Sequence, residues 1–386
     1  MHYPKETIIQ NISKLMDYFI EKDYLISTLE LFAGDMFYDD LFFDIMPDII
    51  RYYEYIKINH PDFIEKHHLE NDKDFTEPVI IVPCNMTFCE YPEKKSKVRK
   101  IHKNLHDLGV KLSFSYSTDG IYSTDVREKK ELEEEYFDNI LSFCAELDWG
   151  LHPMISYEGI DNAIENYEWF KRKFRQFRIN HGSSIPMYLE VRNPGWNEEQ
   201  LQKYKEFVVY FLDDVFHNFY QSNVANFCET YFKVFHKNES NKYSMSGDPP
   251  GIGRFPIITT KHLPCSLGSF SLMVYAGNLS IVPCHRLAYP EYQGAKFITN
   301  DNGKLEIEAT PFMNSYLSMY YYNNALSSNC QLCDYKHVCL KGCPGAQYEY
   351  FADATMQIPS VCDLFKVKYQ TLLEYYHSIG LFHYLF

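Results

Sequence analysis

Four cysteines within fourteen residues constrain this chain more than any other feature. The stretch reads Cys330-Gln-Leu-Cys333-Asp-Tyr-Lys-His-Val-Cys339-Leu-Lys-Gly-Cys343, a C-x2-C-x5-C-x3-C spacing. Two further thiols lie upstream, Cys265 and Cys284, and one downstream, Cys362. Thiolates are soft ligands, and a C-x2-C turn aims two sulfurs at one metal. Seven thiols bunched in the last third exceed what packing needs. Iron–sulfur clusters are the first reading of this pattern. A structural zinc knot is the second. Disulfides come last, because nothing in the sequence looks secreted.

The rest of the composition narrows the class. At 386 residues the chain is long enough for a full-sized core and two domains. Its charged share of 23% and apolar share of 46% are those of an ordinary soluble globular protein. A formal charge of −15, with no basic run, argues against nucleic acid as a partner. The start, Met-His-Tyr-Pro-Lys-Glu, has no apolar core of a signal peptide. No apolar run is long enough to span a membrane. Eleven cysteines without a secretion signal fit a reducing, cytoplasmic setting and metal ligation better than bridges.

Hydrophobic periodicity organises the first half. Residues 5–22 read as an amphipathic helix, with Ile8, Ile12, Leu15, Met16 and Phe19 at helical spacing. A strand over 25–32 then runs into Ala33-Gly34-Asp35-Met36. Helices follow over 39–55, 94–108, 129–147, 160–177 and 197–216, and strands over 79–82, 110–115, 151–156 and 185–192. Connections of this length suit parallel strand–helix units. An alternation that begins with a helix looks as though its first strand and loop are missing. Residues 238–264 are polar and then turn-rich, and Gly247 to Gly253 carries a GxG with no Lys-Ser/Thr after it. That segment reads as a linker rather than a phosphate loop. The resulting division is an α/β domain over 1–237, a linker over 238–264 and a cysteine-rich domain over 265–386. In the last, residues 270–282 read as a hairpin delivering Cys284, and residues 364–385 as a terminal helix. Cys84, Cys89, Cys144 and Cys228 read as small core residues.

The spacing C…G…C, then C-x2-C-x5-C-x3-C, then a lone C resembles the SPASM domain, the C-terminal part of many radical S-adenosylmethionine (radical SAM) enzymes. The resemblance covers about a hundred residues, Cys265 to Cys362. It implies two auxiliary four-iron four-sulfur (4Fe-4S) clusters. Cys330, Cys333, Cys339 and Cys362 would hold one; Cys265, Cys284 and Cys343 would hold the other. Two departures bear on the second set. Gly277 is followed by six residues before Cys284, where the family usually has four, and no additional cysteine precedes Cys265 between Ile257 and Pro264. This implies an open iron or a non-cysteine ligand there.

The first half resembles the radical SAM fold in three places, in the right order. Ala33-Gly34-Asp35-Met36 stands where the second strand ends in a Gly-Gly-Glu-Pro-like motif, with its leading Gly lost and Glu-Pro replaced by Asp-Met. Cys84-Asn85 matches a Thr-Asn at the third strand, and Ser117 to Gly120 a Ser-x-Asp-Gly at the fourth. The resemblance implies a partial parallel (β/α) barrel with S-adenosyl-L-methionine beside Gly34, Asp35, Asn85, Ser117 and Asp119. The alternative for each is a strand-end turn residue. The family's C-x3-C-x2-C loop, which holds the radical cluster, has no counterpart in this sequence. Cys84-Asn-Met-Thr-Phe-Cys89-Glu-Tyr-Pro92 imitates it poorly, with one residue too many between thiols and Pro92 where the third would stand. The expectation is therefore a first strand lost to a late start codon or an incomplete gene.

The complete enzyme that this resemblance implies modifies a peptide or protein side chain through a 5′-deoxyadenosyl radical. Its electron donor would be a flavodoxin or ferredoxin. The alternative is a non-catalytic cluster-carrying protein that binds a peptide or a partner enzyme. Cys284-His285-Arg286 resembles the C-H-R of several peptide-modifying members, whereas sulfatase-maturing members place an acid beside that cysteine. His285 also reads as a hydrogen-bonding neighbour of the site or a surface histidine.

Overall fold

Apolar runs of strand length followed by helical periodicity dominate residues 5–220, and the computed structural model contains the elements this pattern requires. It describes residues 3–32, 36–64, 78–122, 134–179, 188–189, 195–220, 273–320, 328–335 and 342–381. The helices are α1 (Lys5–Glu21), α2 (Leu41–Asn59), α3 (Pro92–Asp107), α4 (Glu134–Leu147), α5 (Ala163–Phe177), α6 (Glu198–Val215), α7 (Met313–Tyr320), the single turn α8 (Ser328–Gln331), α9 (Pro344–Phe351) and α10 (Pro359–Ser378). The strands are β1 (Thr28–Glu30), β2 (Val79–Cys84), β3 (Lys111–Thr118), β4 (Gly150–Ile155), β5 (Tyr188–Leu189), β6 (Met273–Tyr275), β7 (Ser280–Val282), β8 (Ala295–Thr299) and β9 (Leu305–Ala309).

Two compact units make up the chain, and neither is continuous in sequence. The first holds Met1–Ser117, Glu135–Leu151 and Phe270–Ser318; the second holds Thr118–Glu134, His152–Ser269 and Met319–Phe386. In the first, β1 pairs with β2 and β2 with β3, all parallel. In the second, β4 and β5 pair in parallel. The α/β expectation, with parallel strands joined by helical crossovers, holds. The strand expected over 25–32 is shorter than its apolar run. Only Thr28–Glu30 pairs as strand, because Tyr52 of α2 takes over the preceding backbone: its hydroxyl donates to the Tyr24 carbonyl (2.6 Å) and accepts from the Ile26 amide (2.8 Å).

The high aromatic content fills both cores. In the first unit Phe37, Phe42, Phe88, Phe114 and Trp149 are all buried, with Phe114 and Trp149 rings 4.0 Å apart. Trp149 Nε1 donates to the Leu112 carbonyl at 2.9 Å, so its one polar atom is satisfied. In the second unit Trp169, Phe170, Tyr204, Phe211 and Tyr376 are buried. Burying rings of this size contributes roughly 1.5–3 kcal/mol each. Asn197 starts α6 with a capping box: its side chain accepts from the Gln200 amide (2.9 Å), and the Gln200 side chain accepts from the Asn197 amide (3.0 Å). Tyr375 Oη to Asp213 (3.3 Å) and Lys205 to Glu374 (2.7 Å) then tie α10 along α6.

The hairpin expected over 270–282 is present as β6 and β7, joined by a tight turn. Two more antiparallel strands follow, giving a sheet of order β6-β7-β8-β9 in the first unit. Leu305–Ala309 alternates apolar and charged residues, although only its first residue is buried. Among the described residues no helix is long and apolar enough to cross a membrane.

Candidate metal centre

The second unit gathers three of the four thiols assigned to one cluster. Cys330 and Cys333 lie in and just after α8, where the Cys333 amide donates to the Cys330 carbonyl at 3.3 Å. Cys362 sits in the first turn of α10, its amide bonded to the Ile358 carbonyl. Burial pushes the Cys362 thiol up to about 11; the neighbouring sulfurs of Cys330 and Cys333 push the same way, against Lys366. Such mutual influence requires proximity. Lys366 in turn is raised, chiefly by its ion pair with Asp363 at 3.0 Å.

A stack of rings brings the short loop to the helix. Tyr335, two residues after Cys333, lies on Tyr369 at 5.8 Å and 20°, and Tyr369 continues onto Phe365 at 6.3 Å and 19°. Tyr369 is fully buried two turns beyond Cys362. Its place on the inner face of α10 follows from helical period, but nothing local in the sequence points to Tyr335 as its partner.

Cys343 is the N-cap of α9, and Gly342 before it has φ +81°. A side chain there would be strained, and its Cβ would meet Gln347 Nε2 at 3.0 Å and Val361 Cγ1 at 3.8 Å. The glycine lets this loop pass close to the start of α10. Cys284 lies in the first unit, after β7, as the N-cap of a short turn over His285–Leu287. Cys265 and Cys339 lie outside the described residues.

The donors fit an iron–sulfur group in chemistry. Cys284, Cys330, Cys333, Cys343 and Cys362 are all partly buried and none is in a disulfide. Sulfur-only donor sets suit iron–sulfur clusters or zinc. Among the described residues no group of three or more His, Cys, Asp or Glu is drawn in to metal-binding distance. Cys330, Cys333 and Cys362 lie near enough to influence one another electrostatically, and Cys339 lies outside the described residues.

The other thiols behave as core residues. Cys84 and Cys89 are 7% and 2% exposed, and burial pushes Cys89 up to about 12. Cys144 is fully buried and its thiol is raised by the same cause. None of the three resembles a poised ligand. Cys228 lies outside the described residues.

At the carboxyl ends of the parallel strands the candidate ligand residues fall into place unevenly. Cys84 on β2 is in register with Tyr116 on β3, so Asn85 and Ser117 follow at neighbouring strand ends. In parallel α/β sheets ligands bind at this edge. Asn85 accepts from the Thr87 amide (3.3 Å), shaping a turn in which Met86 has φ +61°. Asp119 is 6% exposed and accepts from the Met154 amide at 3.2 Å, a structural task. Gly120 has φ +92°, and a Cβ there would lie 2.5 Å from Asn166 Oδ1. That atom accepts from the Tyr122 amide at 2.8 Å, so the turn signal in the sequence corresponds to a built turn. Gly34 and Asp35 lie outside the described residues.

The fold is α/β with parallel strands and helices, and it matches the fold of solved radical SAM/SPASM structures. Two solved structures of a radical SAM/SPASM anaerobic sulfatase-maturating enzyme are similar to it over nearly the whole chain. Native anSMEcpe with bound AdoMet and Kp18Cys peptide matches with a TM-score of 0.53 at 11% identity, covering 99% of this chain and 91% of that chain. Native anSMEcpe with bound AdoMet matches with a TM-score of 0.54 at 11% identity, over 97% of this chain and 89% of that chain. At such identity the likeness is one of fold. No family model and no curated protein matches the chain.

Proposed function

We propose that this chain is a radical SAM/SPASM-type iron–sulfur protein that, in its complete form, modifies a peptide or protein side chain by radical chemistry. The observation that carries the reading is the C-x2-C-x5-C-x3-C spacing of Cys330, Cys333, Cys339 and Cys343 in a chain with this fold. With Cys339 they would hold one auxiliary 4Fe-4S cluster. Cys265, Cys284 and Cys343 are assigned to the other, as the SPASM resemblance pairs them. When bound, such clusters supply sites for substrate ligation or electron transfer. The chain's own contribution is to present the thiols from the short α8 turn and the first turn of α10, with Tyr335 stacked on the buried Tyr369.

S-adenosyl-L-methionine is proposed to meet the carboxyl edge of the parallel strands, with Asn85 and Ser117 the residues best supported by register. Gly34, Asp35 and Asp119 are assigned by resemblance. A peptide substrate is supported by the peptide bound in one of the similar structures. A flavodoxin or ferredoxin donor and a cytoplasmic location complete the proposal.

A second reading is favoured by one specific observation. The sequence contains no C-x3-C-x2-C motif. On that reading the chain as given carries clusters without cleaving S-adenosylmethionine itself. The two are separated by in-frame translation of the DNA upstream of Met1, where a C-x3-C-x2-C motif favours the first reading; the chain itself is tested by anaerobic incubation with S-adenosylmethionine and dithionite, followed by chromatography for 5′-deoxyadenosine. We expect none from this chain; robust product would mean that Cys84 and Cys89 have been misassigned. Iron and acid-labile sulfide are expected together in anaerobically reconstituted protein. Zinc without either would replace the proposal with a structural zinc site.

A further inference from the structure

The expectation that this chain holds no basic run fails at α3. Lys94-Lys95-Ser96-Lys97-Val98-Arg99-Lys100-Ile101-His102-Lys103 concentrates lysine and arginine in a chain whose formal charge is −15. Val98 and Leu105 are buried, so α3 lies on its unit by that side. Three of the cations are taken up by the fold itself. Lys94 pairs with Asp40 (2.9 Å), Lys95 donates to Asn139 Oδ1 (2.9 Å), and Arg99 donates to both oxygens of Glu146 (2.5 and 2.8 Å). Lys97, Lys100 and Lys103 differ. They stand one helical turn apart, over about 9 Å of helix axis, and all three are exposed. Lys97 Nζ lies over the Phe43 ring at 5.1 Å. None of the three has an ion pair or a side-chain hydrogen bond among the described residues. Like charges one turn apart destabilise the helix that carries them. The chain has 52 acidic side chains against 37 basic ones, so acids to relieve this stripe are plentiful, yet it faces solvent.

The start of the same helix adds two outward tyrosines. Tyr91 is 49% exposed, with the Lys94 ammonium 5.4 Å from its ring centroid. Tyr38 is 89% exposed, and the same ammonium donates to the carbonyl of the residue before it, Phe37, at 2.5 Å. Exposed tyrosines beside cations have the composition of a protein interface.

We propose that the Lys97–Lys100–Lys103 stripe of α3 docks a carboxylate-rich face of a partner protein. Two features select a protein over other polyanions. A phosphate polymer or an anionic membrane extends far beyond the stripe and would meet the acidic remainder of the chain, whose net charge opposes both. No aromatic residue alternates with the lysines, as a base-stacking groove requires; both tyrosines stand at one end. A compact acidic face matches the stripe, and its attraction steers encounter and fixes orientation. Every residue in this surface belongs to the first unit, and the role does not depend on the iron ligands.

The test uses the full chain, reconstituted anaerobically, and a labelled poly-glutamate peptide of about 20 residues, with binding read by fluorescence anisotropy at about 50 and about 200 mM salt. Affinity should fall about fivefold or more between the two salts. The triple reversal Lys97→Glu, Lys100→Glu and Lys103→Glu should weaken binding about tenfold or more at the lower salt, and the milder Lys→Gln triple by less, with helical circular dichroism kept in both. A matched reversal of exposed lysines elsewhere, Lys14→Glu, Lys22→Glu and Lys296→Glu, carries the same change in net charge and should weaken it less than about twofold. Absent or salt-insensitive binding overturns the proposal, as does equal weakening by the two reversals. An RNA of about 20 nucleotides bound more tightly than the peptide through the same lysines would replace the partner protein with nucleic acid. Lysine-dependent co-sedimentation with phosphatidylglycerol vesicles, without peptide binding, would replace it with a membrane surface.

Discussion

Individual cysteines in this chain differ by environment more than by sequence neighbourhood. Cys84, Cys89 and Cys144 are buried. A thiol reacts as its thiolate, and burial removes that form from Cys89 until the pH nears about 12. Cys284, Cys330, Cys333 and Cys343 are only partly buried. Metal-free native protein treated with iodoacetamide at about pH 8 should therefore lose the latter four first, with Cys84, Cys89 and Cys144 protected until denaturant is added. Peptide mass mapping reads the order. The sign follows from the direction of the shift: raising the pH toward 12 should begin to expose Cys89 to reaction, and lowering it should protect it further. Rapid native alkylation of Cys89 would contradict its core assignment. Sequence alone separated these groups, because Cys144 falls on an apolar helical face and the Cys84–Cys89 spacing suits no cluster loop. What it lacked was any sign of Phe32 stacking on His285, a contact between segments far apart in the chain.

Elements carry the geometry that residues need. The helix periods and most strand positions were legible because each amphipathic pattern is local. Helix α6 begins where Asn197 and Gln200 form their capping box, a signal readable in four letters. The sequence reading does not include strands β8 and β9, although Leu305-Glu306-Ile307-Glu308-Ala309 alternates apolar and charged residues, a signal that could have found β9. Helix α10 has a specific task beyond covering the unit: it aligns Cys362 with the Cys330–Cys333 turn through the Tyr335–Tyr369–Phe365 stack. Tyr369→Leu keeps the helix apolar on that face but removes the ring on which Tyr335 rests. It should cost roughly 0.5–1.5 kcal/mol for the lost ring pairing, beyond any packing loss. Iron release from the cluster using Cys362 should speed up, while circular dichroism stays helical. A variant that releases iron at the native rate would show that the stack does not hold the turn.

At the scale of the molecule, the chemistry is distributed across a discontinuous fold. The cysteine-rich third looked like one block in sequence, yet the β6–β9 sheet that delivers Cys284 lies in the unit built around β1, β2 and β3. Cys330, Cys333, Cys343 and Cys362 lie in the unit that contains α5, α6 and α10. Periodicity could not foresee this, since it depends on which surfaces α1 and the hairpin bury against each other. The account as a whole turns on sulfur ligands holding iron. Mössbauer spectroscopy of the full chain, reconstituted with enriched iron under strict exclusion of oxygen, tests it most directly. The account predicts quadrupole doublets of cuboidal four-iron clusters, in an amount that falls by about half in Cys362→Ser. A spectrum of adventitious ferrous or ferric iron only, unchanged by Cys362→Ser, would contradict it.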